Sequence, residues 1–468
     1  MSEVAVNKNE SKSKGRFQGS KSEFLGKEPI GKLLWKMSYP AVIGMIVMTL
    51  YNLVDTIFIG FKVGALGIAG MSVVLPIDMI SMSFALAIGI GSASIISRSM
   101  GQKNIKKTEN VLGNFFSLAL IIGILLIVIA FIFKIQILTL FGGASDAIPY
   151  AAEYFSITLF DMLFMILAIG GNNIVRAFGN SKLAMIIMVS SALFNASLDA
   201  ILMYGFDMGM SGAAIATLSA FALSSVIVIA YFMRKNEHIK LHYKNLKLKI
   251  SIVKEIFGIG ASSFARQFSM GIFGVILNNM LVIYSGVMAL AAFGIINKVI
   301  LLGIMPLFGM IQGMQPIIGY NYGAKKINRV KKTVMMSIKI STLFAVIIFV
   351  LLMLFPNFFA GMFTKDAELL KLTSKTLMIV ILALPVVGVQ IVVGGYFQSI
   401  GKALPAFTLS LLRQVILLIP LIIILPKFFG YTGIIYAFPV SDLTAFLISL
   451  VLFVPAIKNL NLGRINKT

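Results

Sequence analysis

Two oxygen-bearing side chains one helical turn apart are the first candidates for chemistry in this sequence. Asn195 and Asp199 lie in the segment FNASLDA at positions i and i+4, and they therefore share one face of a helix. A carboxylate beside a carboxamide supplies the oxygen ligands that a hard cation prefers, or a carboxyl group that carries a proton in a low dielectric. The alternative is a pair that satisfies itself by hydrogen bonding within the helix.

A second carboxyl group, Asp55, lies near the end of the apolar segment LLWKMSYPAVIGMIVMTLYNLVDTIFIG at 33–60. An ionisable side chain inside a membrane span is costly, which favours a functional role. Asn52 lies about one turn earlier, so both side chains can point into a cavity. The alternative is an aspartate at the outer end of the helix that reaches water. Pro40 removes a backbone hydrogen bond and predicts a bend in the same helix.

Three further aspartates lie within apolar segments. Asp78 follows Pro76 and either satisfies backbone donors near a kink or faces a cavity. Asp161 either pairs with a basic group or lines a cavity. Asp442 has no obvious partner in the sequence.

Helices that cross a membrane are needed to position these residues. The chain has 468 residues, of which 59% are hydrophobic and 12% charged, as is typical of a helical membrane protein. Twelve apolar segments are long enough to span a bilayer, at about 33–59, 66–96, 111–133, 150–177, 183–204, 211–233, 255–283, 288–319, 333–355, 372–400, 404–426 and 432–456.

The distribution of positive charge predicts the orientation of these spans. The connections on one side contain 29 Lys and Arg residues and those on the other side contain 5, so we expect both termini in the cytoplasm, with the chain in the cell membrane. Most of the basic residues behind the net charge of +23 therefore face anionic lipid of the inner leaflet, and nucleic acid is not expected as a partner.

Enzymatic chemistry is not expected. The chain has no cysteine, and its two histidines, His238 and His242, lie in a basic linker where a solvated face is the ordinary interpretation. Neither a metal centre nor a nucleophile with its base can be assembled from this set.

An internal repeat divides the chain into two halves. At an offset of 222 residues Gly64 matches Gly286 and Gly101 matches Gly323, and this register continues over about 150 residues. We therefore predict a disordered basic cytoplasmic segment at 1–32, a first lobe of six helices at 33–233, a cytoplasmic linker at 234–254, a second lobe of six helices at 255–456 and a cytoplasmic tail at 457–468. Six helices per half predict parallel lobes, related by a pseudo-two-fold axis along the membrane normal.

These features resemble the multidrug and toxic compound extrusion (MATE) transporters. The resemblance rests on the paired lobes, on the loops MGQKNIKKTENV and YGAKKINRVKKTV after the second and eighth helices, and on the YP…D pattern of the first helix. It covers about residues 33–456. It implies an all-α membrane protein with a V-shaped pair of bundles that exports amphipathic, often cationic, drugs in exchange for protons or sodium ions. We expect no other cofactor and a monomer.

The positions of the carboxylates are similar to those in the DinF-like and MepA-like members of that family. The resemblance implies an ion-coupling site in the first lobe, formed by Asp55, Asn172, Asn195 and Asp199. Asn172 is preferred to Asn173, because Asp161, Asn172 and Arg176 fall near one helical face.

The resemblance also has consequences for the cavity. The NorM-like branch has a glutamate on the seventh helix, whereas this chain reads SSFARQFSM there, with Gln267 as the nearest polar candidate. We expect Asp161, Asn52 and Gln267 to line the substrate cavity. Pro40 is the expected hinge, at which neutralisation of a nearby carboxylate bends the first helix.

Two other transport functions compete with drug export. A lipid-linked oligosaccharide flippase of the same superfamily lines its cleft with several arginines and often has extra helices, whereas the arginines here are scattered. A passive channel needs a ring of carbonyls or charges along its axis, and the sequence contains no filter motif.

Overall fold

The chain folds as an assembly of long helices. The computed structural model describes residues 22–142, 146–234 and 241–461, and no β-strand occurs among them. The first lobe consists of α1 (Ile30–Lys62), α2 (Ala65–Gly101), α3 (Ile105–Ile132), α4 (Ile148–Thr158 with Asp161–Ala177), α5 (Ser181–Asp199, continued by the π-helical segment Ala200–Gly205) and α6 (Gly209–Met233). A short helix, Lys134–Gly142, follows α3.

The second lobe repeats this order. It consists of α7 and α8 (the two parts of Ile250–Gly323), α9 (Ile327–Leu354), α10 (Ala367–Val380 with Leu384–Ile400), α11 (Ala403–Leu411, the π-helical segment Leu412–Leu418 and Ile419–Ile424) and α12 (Tyr431–Asn461). Short helices at Pro356–Gly361 and Pro426–Phe429 connect neighbouring spans.

The 74-residue helix Ile250–Gly323 contains two membrane spans. At ~1.5 Å per residue it is far longer than a hydrocarbon core of ~30 Å. It breaks at Gly286, whose φ of 71° is left-handed. Gly64, its counterpart between α1 and α2, has a φ of 87°.

The predicted twelve spans are confirmed. Nine described helices are long and apolar enough to cross a membrane, and the bent pairs that form α4 and α10, with breaks of 60° and 54°, add two more. The helix that divides at Gly286 counts twice. All spans come from residues in the three described ranges.

Backbone conformation also follows the sequence repeat. Within the described chain, every residue with positive φ except Asp207 has a counterpart in the other lobe. The pairs are Gly64 and Gly286, Lys103 and Lys325, Gly179 and Gly401, and Gly209 and Gly430. The turns at Lys103 and Lys325 lie at the same end of the molecule, which we call the basic end.

The lobes share a hydrophobic core at the basic end and have separate cores at the other. The shared core contains residues of both lobes, such as Leu33 and Ile317. A second core is built from first-lobe residues between Ile59 and Ala214. A third is built from second-lobe residues between Leu277 and Ala437. The lobes therefore diverge from the basic end, as a V-shaped pair requires.

Glycines bring the two lobes into backbone contact at the basic end. A Cβ atom on Gly101 would lie 2.0 Å from the carbonyl oxygen of Tyr320, and one on Gly323 would lie 2.0 Å from the carbonyl oxygen of Arg98. Because glycine has no side chain, α2 and α8 can approach this closely at both positions. These two symmetric contacts close the basic end.

The predicted disorder of residues 1–32 is wrong for residues 22–32, whereas residues 1–21 lie outside the described part. Leu25 is fully buried, and its carbonyl oxygen accepts a hydrogen bond from Asn321 Nδ2 at 2.9 Å. Arg329 Nη2 donates to the carbonyl oxygen of Glu28 at 2.7 Å. The polar composition of the segment concealed this order, because one leucine and backbone carbonyls held by the second lobe supply the contacts.

Candidate functional site

A cavity of about 280 Å³ lies between the lobes. Helices α1, α2, α4, α5 and α6 contribute to its wall from one lobe, and α7, α8 and α10 contribute from the other. Six methionines give the wall an adaptable apolar surface. They are Met45, Met48, Met82, Met188, Met270 and Met305.

Two buried carboxyl groups lie in the first lobe beside this cavity. Asp55 on α1 is 2% exposed and Asp199 on α5 is 0% exposed. Asp55 Oδ1 and both carboxylate oxygens of Asp199 have no hydrogen-bond partner among the described residues. The two groups are near enough that Asp199 feels the negative charge of Asp55. An unpaired buried carboxylate is costly, and a bound proton or cation removes that cost.

The local structure of α5 changes at Asp199. Regular α-helix ends at this residue, and the π-helical segment Ala200–Gly205 begins directly after it. Such segments in α-helices frequently occur at functional sites, because they redirect side chains and free backbone groups.

Polar side chains surround the two carboxyl groups. Asn195 Nδ2 donates to Thr217 Oγ1 at 3.4 Å, whereas its Oδ1 has no partner in the described part of the chain. The side chain of Tyr154 lies close to Thr217. The sequence analysis missed both Thr217 and Tyr154, because each lies on a helix distant in sequence and no spacing pattern joins them to Asp199.

Asn172 of α4 lines the cavity. Its Nδ2 donates to the carbonyl oxygen of Ala184 at 2.8 Å, and its Oδ1 is buried with no partner in the three described ranges. Asn173 lines the cavity as well, but its Oδ1 accepts from Arg176 Nη2 at 3.1 Å. Asn172 is thus the asparagine whose oxygen is available. Its function in ion binding stays a prediction.

The residues that were expected to line the cavity do not all lie there. Gln267 lines the cavity. Asp161 does not: it is 1% exposed and lies just after the 60° break of α4, where it faces the charge of Asp78 in the first lobe. The side chain of Asn52 lies outside the described part of the molecule. Pro40 lies inside the uninterrupted helix α1, and its function as a hinge stays a prediction.

Tyr51 was not among the predicted residues, although it joins the carboxyl groups to the cavity. It lines the cavity and lies within the electrostatic range of Asp55 and Asp199. Within the described ranges, no three His, Cys, Asp or Glu side chains are grouped to hold a metal ion. The donor set around Asp55 and Asp199 is therefore two carboxylates with carboxamide and hydroxyl oxygens.

Asp442, for which the sequence showed no partner, pairs with Arg413 of α11. Arg413 Nε contacts Asp442 Oδ1, and Arg413 Nη2 donates to Oδ2 at 3.1 Å. The Asp442 side chain is 6% exposed. The repeat matches Arg413 with Ser191 and, at the offset that pairs Gly430 with Gly209, Asp442 with Phe221. Neither residue is charged, so the ion pair has no counterpart in the first lobe.

An Asp442→Asn substitution should destabilise the second lobe by about 1–3 kcal/mol, because it leaves the Arg413 guanidinium without a counter-charge. The expected loss of stability is smaller than for a fully buried ion pair, because the Arg413 side chain is 36% exposed and solvent screens its charge. The melting temperature of the purified protein measures the effect. The double variant Arg413→Gln with Asp442→Asn should recover part of the loss, and an unchanged melting temperature in the single variant would contradict a stabilising pair.

Both lobes are similar to known proteins. The family model MatE matches residues 40–201 and 263–424. A multidrug export protein MepA of Staphylococcus haemolyticus is 29% identical over 414 residues, which cover 88% of this chain and 91% of that protein. The solved structure of the MATE multidrug transporter DinF-BH is 40% identical, with a TM-score of 0.87, and the match covers 93% of this chain and 97% of that one. An outward-facing MATE transporter of the MOP superfamily has the same fold, with 24% identity, a TM-score of 0.89 and coverage of 94% and 99%.

Proposed function

The chain belongs to the MATE family of multi-pass membrane transporters, and on this premise we propose that it exports amphipathic, often cationic, small molecules from the cytoplasm in exchange for protons or sodium ions. Family membership makes the chain a multidrug efflux transporter and not an enzyme. The coupling ion, the substrates and the residues that couple them are the matter of the proposal.

The observation that carries the proposal is the position of Asp199. Both of its oxygens are buried and have no partner among the described residues, and its neighbour Asp55 is also buried. Tyr51, which lies one helical turn before Asp55, lines the cavity. A cation or proton bound by the pair lies within reach of the cavity wall. The occupancy of one site can therefore change the shape of the other.

Coupling follows from differential affinity for two states of the transporter. Neutralisation of Asp55 and Asp199 removes their mutual repulsion, which lets α1 move against α5. Pro40 permits α1 to bend, since its backbone donates no hydrogen bond. An ion drives this change only to the extent that it binds one state more tightly than the other.

The positive charge of the basic end supports a cytoplasmic position for this end. Exposed lysines there are placed to contact anionic headgroups of the inner leaflet. Both lobes of one chain form the cavity, so a monomer contains the complete pathway.

Export from the cytoplasm should depend on an ion gradient. Everted membrane vesicles that contain the protein should accumulate the dye rhodamine 6G when a proton or a sodium gradient is imposed, each tested alone, and should release the dye when that gradient is dissipated. Vesicles without the protein are the control. Accumulation that is the same with and without either gradient would overturn the proposed antiport.

A further inference from the structure

The charge of the cavity wall is positive within the described chain. Arg176 of α4 and Arg266 of α7 line the cavity, and its lining contains no Asp or Glu. The carboxyl groups of Asp55 and Asp199 lie outside the lining. A wall of this kind favours an acidic group on the ligand, because it attracts the opposite charge.

Arg176 has little compensation for its charge. It is 5% exposed, and Nη2 donates to Asn173 Oδ1 at 3.1 Å. Its other contact is between Nη1 and the sulfur of Met188 at 3.7 Å, which is a weak acceptor. No carboxylate of the described residues forms an ion pair with it. A buried guanidinium without a counter-charge is costly, and an anion bound beside it offsets that cost.

A polar recess at the base of the cavity surrounds this guanidinium. It encloses about 20 Å³, which is enough for a small polar group. Eight of its twelve lining residues are polar, namely Ser94, Ser97, Asn173, Arg176, Gln312, Gln315, Gln398 and Ser399. None of the twelve is acidic.

Hydrogen bonds fix the carboxamides of the recess. Gln398 Nε2 donates to Ser262 Oγ at 3.0 Å and to Ser263 Oγ at 3.2 Å, and its Oε1 accepts from Gln315 Nε2 at 2.9 Å. Gln312 Oε1 is buried and has no hydrogen-bond partner among the residues that the structure describes. The recess thus contains an oriented polar rim and an acceptor that a protonated or hydrated ligand group can use.

Arg266 adds a second positive charge in the facing lobe. Its guanidinium lies over the ring of Phe308, 5.9 Å from the centroid, and forms no ion pair with the described residues. The side chain remains directed to the cavity that Phe308 also lines. The two arginines therefore come from different lobes, and an anionic group between the lobes is attracted by both.

We propose that Arg176 and the polar recess bind the acidic group of an amphipathic carboxylate or zwitterion, whose apolar body lies against the methionines of the cavity. This inference rests on the proposed export function and specifies its substrate class. Charge-assisted hydrogen bonds from the guanidinium fork supply the preference for a carboxylate over its ester.

A matched pair of dyes tests the substrate class. Rhodamine 6G is an ethyl ester with a net positive charge, and the corresponding free acid is a zwitterion at neutral pH. Binding of each to the purified full-length protein is measured by fluorescence polarisation. The free acid should bind roughly tenfold more tightly than the ester, which is the effect of one charge-assisted hydrogen bond. Equal affinities, or tighter binding of the ester, would overturn the inference.

Substitutions assign the preference to the recess. Arg176→Gln should lower the affinity for the free acid roughly tenfold and leave that for the ester nearly unchanged. Gln312→Glu, which adds a negative charge to the recess without removing the arginine, should reverse the preference. Gln312→Glu also tests the recess if Arg176→Gln fails to fold. The control Lys365→Gln removes a positive charge at an exposed position far from the cavity and should change neither affinity.

The proposed function is tested separately from this inference. If the ester is exported with a gradient but the acid shows no preference, the substrate class is wrong and the antiport stands. If neither dye is exported while the acid binds preferentially, the recess stands and the proposed antiport fails. A preference for the acid that persists unchanged in Gln312→Glu would overturn the assignment to the recess.

Discussion

Asp199→Asn should abolish gradient-driven export and leave substrate binding nearly intact. The amide has the shape of the carboxylic acid, but it cannot release a proton and offers a cation no negative charge. Both Asp199 oxygens are buried without a partner among the described residues, so no hydrogen-bonded neighbour there replaces the lost function. The same reasoning applies to Asp55→Asn, since the two carboxylates lie near each other and one charge alone repels nothing.

Everted vesicles measure this loss, with the proton and the sodium gradient tested separately. Asp207→Asn is the matched control, because Asp207 follows the π-helical segment of α5 but is exposed and pairs with Lys62 at 2.7 Å. The hydrogen bond and charge of Lys62 hold the pKa of Asp207 below its usual value, so this group is ionised at neutral pH and takes up no proton during transport. Normal dye accumulation in both Asp55→Asn and Asp199→Asn would exclude the pair from coupling. Retained dye binding in the inactive variants separates loss of coupling from loss of the fold.

Much of the architecture is predictable from sequence because its signals are local or repeated. A run of ~20 apolar residues can be recognised in a short stretch of sequence. The repeat at an offset of 222 residues is also present in the backbone, where Gly64 and Gly286 both have positive φ. The i and i+4 spacing of Asn195 and Asp199 predicts a shared face without any knowledge of tertiary structure. These features depend only on one helix or on a comparison of the halves.

Residues that meet across helices were not predictable in the same way. Asp442 and Arg413 are 29 residues apart, and their contact depends on the packing of α12 against the π-helical segment of α11. Thr217 of α6 accepts a hydrogen bond from Asn195, and Tyr154 of α4 lies close to Thr217. A lone threonine or tyrosine in an apolar span carries no distinctive pattern.

The charge of the cavity depends on the same tertiary information. Arg176 and Arg266 are visible in the sequence, where they appear scattered. Their significance depends on their burial, on the absence of carboxylates from the lining within the described chain, and on the convergence of two lobes. None of these is a property of a sequence window.

Gly101→Val should open the basic end and accelerate the labelling of a buried reporter roughly tenfold. The Cβ atom would lie 2.0 Å from the carbonyl oxygen of Tyr320 and 2.8 Å from the backbone nitrogen of Ala324. Backbone atoms cannot move aside as a flexible side chain does, so α2 and α8 must separate. Overpacking of this kind costs about 1–3 kcal/mol, which is sufficient to shift a two-state equilibrium by an order of magnitude.

The absence of cysteine from the chain makes the measurement direct. Ser97→Cys places one thiol at a residue that is 2% exposed and lines the recess, one turn from Gly101. Everted vesicles are treated with a membrane-impermeant maleimide, and the labelling rate is compared with and without Gly101→Val.

The repeat predicts the same acceleration for Gly323→Val, because a Cβ atom there meets the carbonyl oxygen of Arg98. Gly258→Val is the control, since among the described residues no atom beyond its own helical turns lies within 4 Å of the added Cβ. If labelling is slow in both variants and export is normal, these glycine contacts do not close the basic end, and closure must depend on the shared core and on the segment around Leu25.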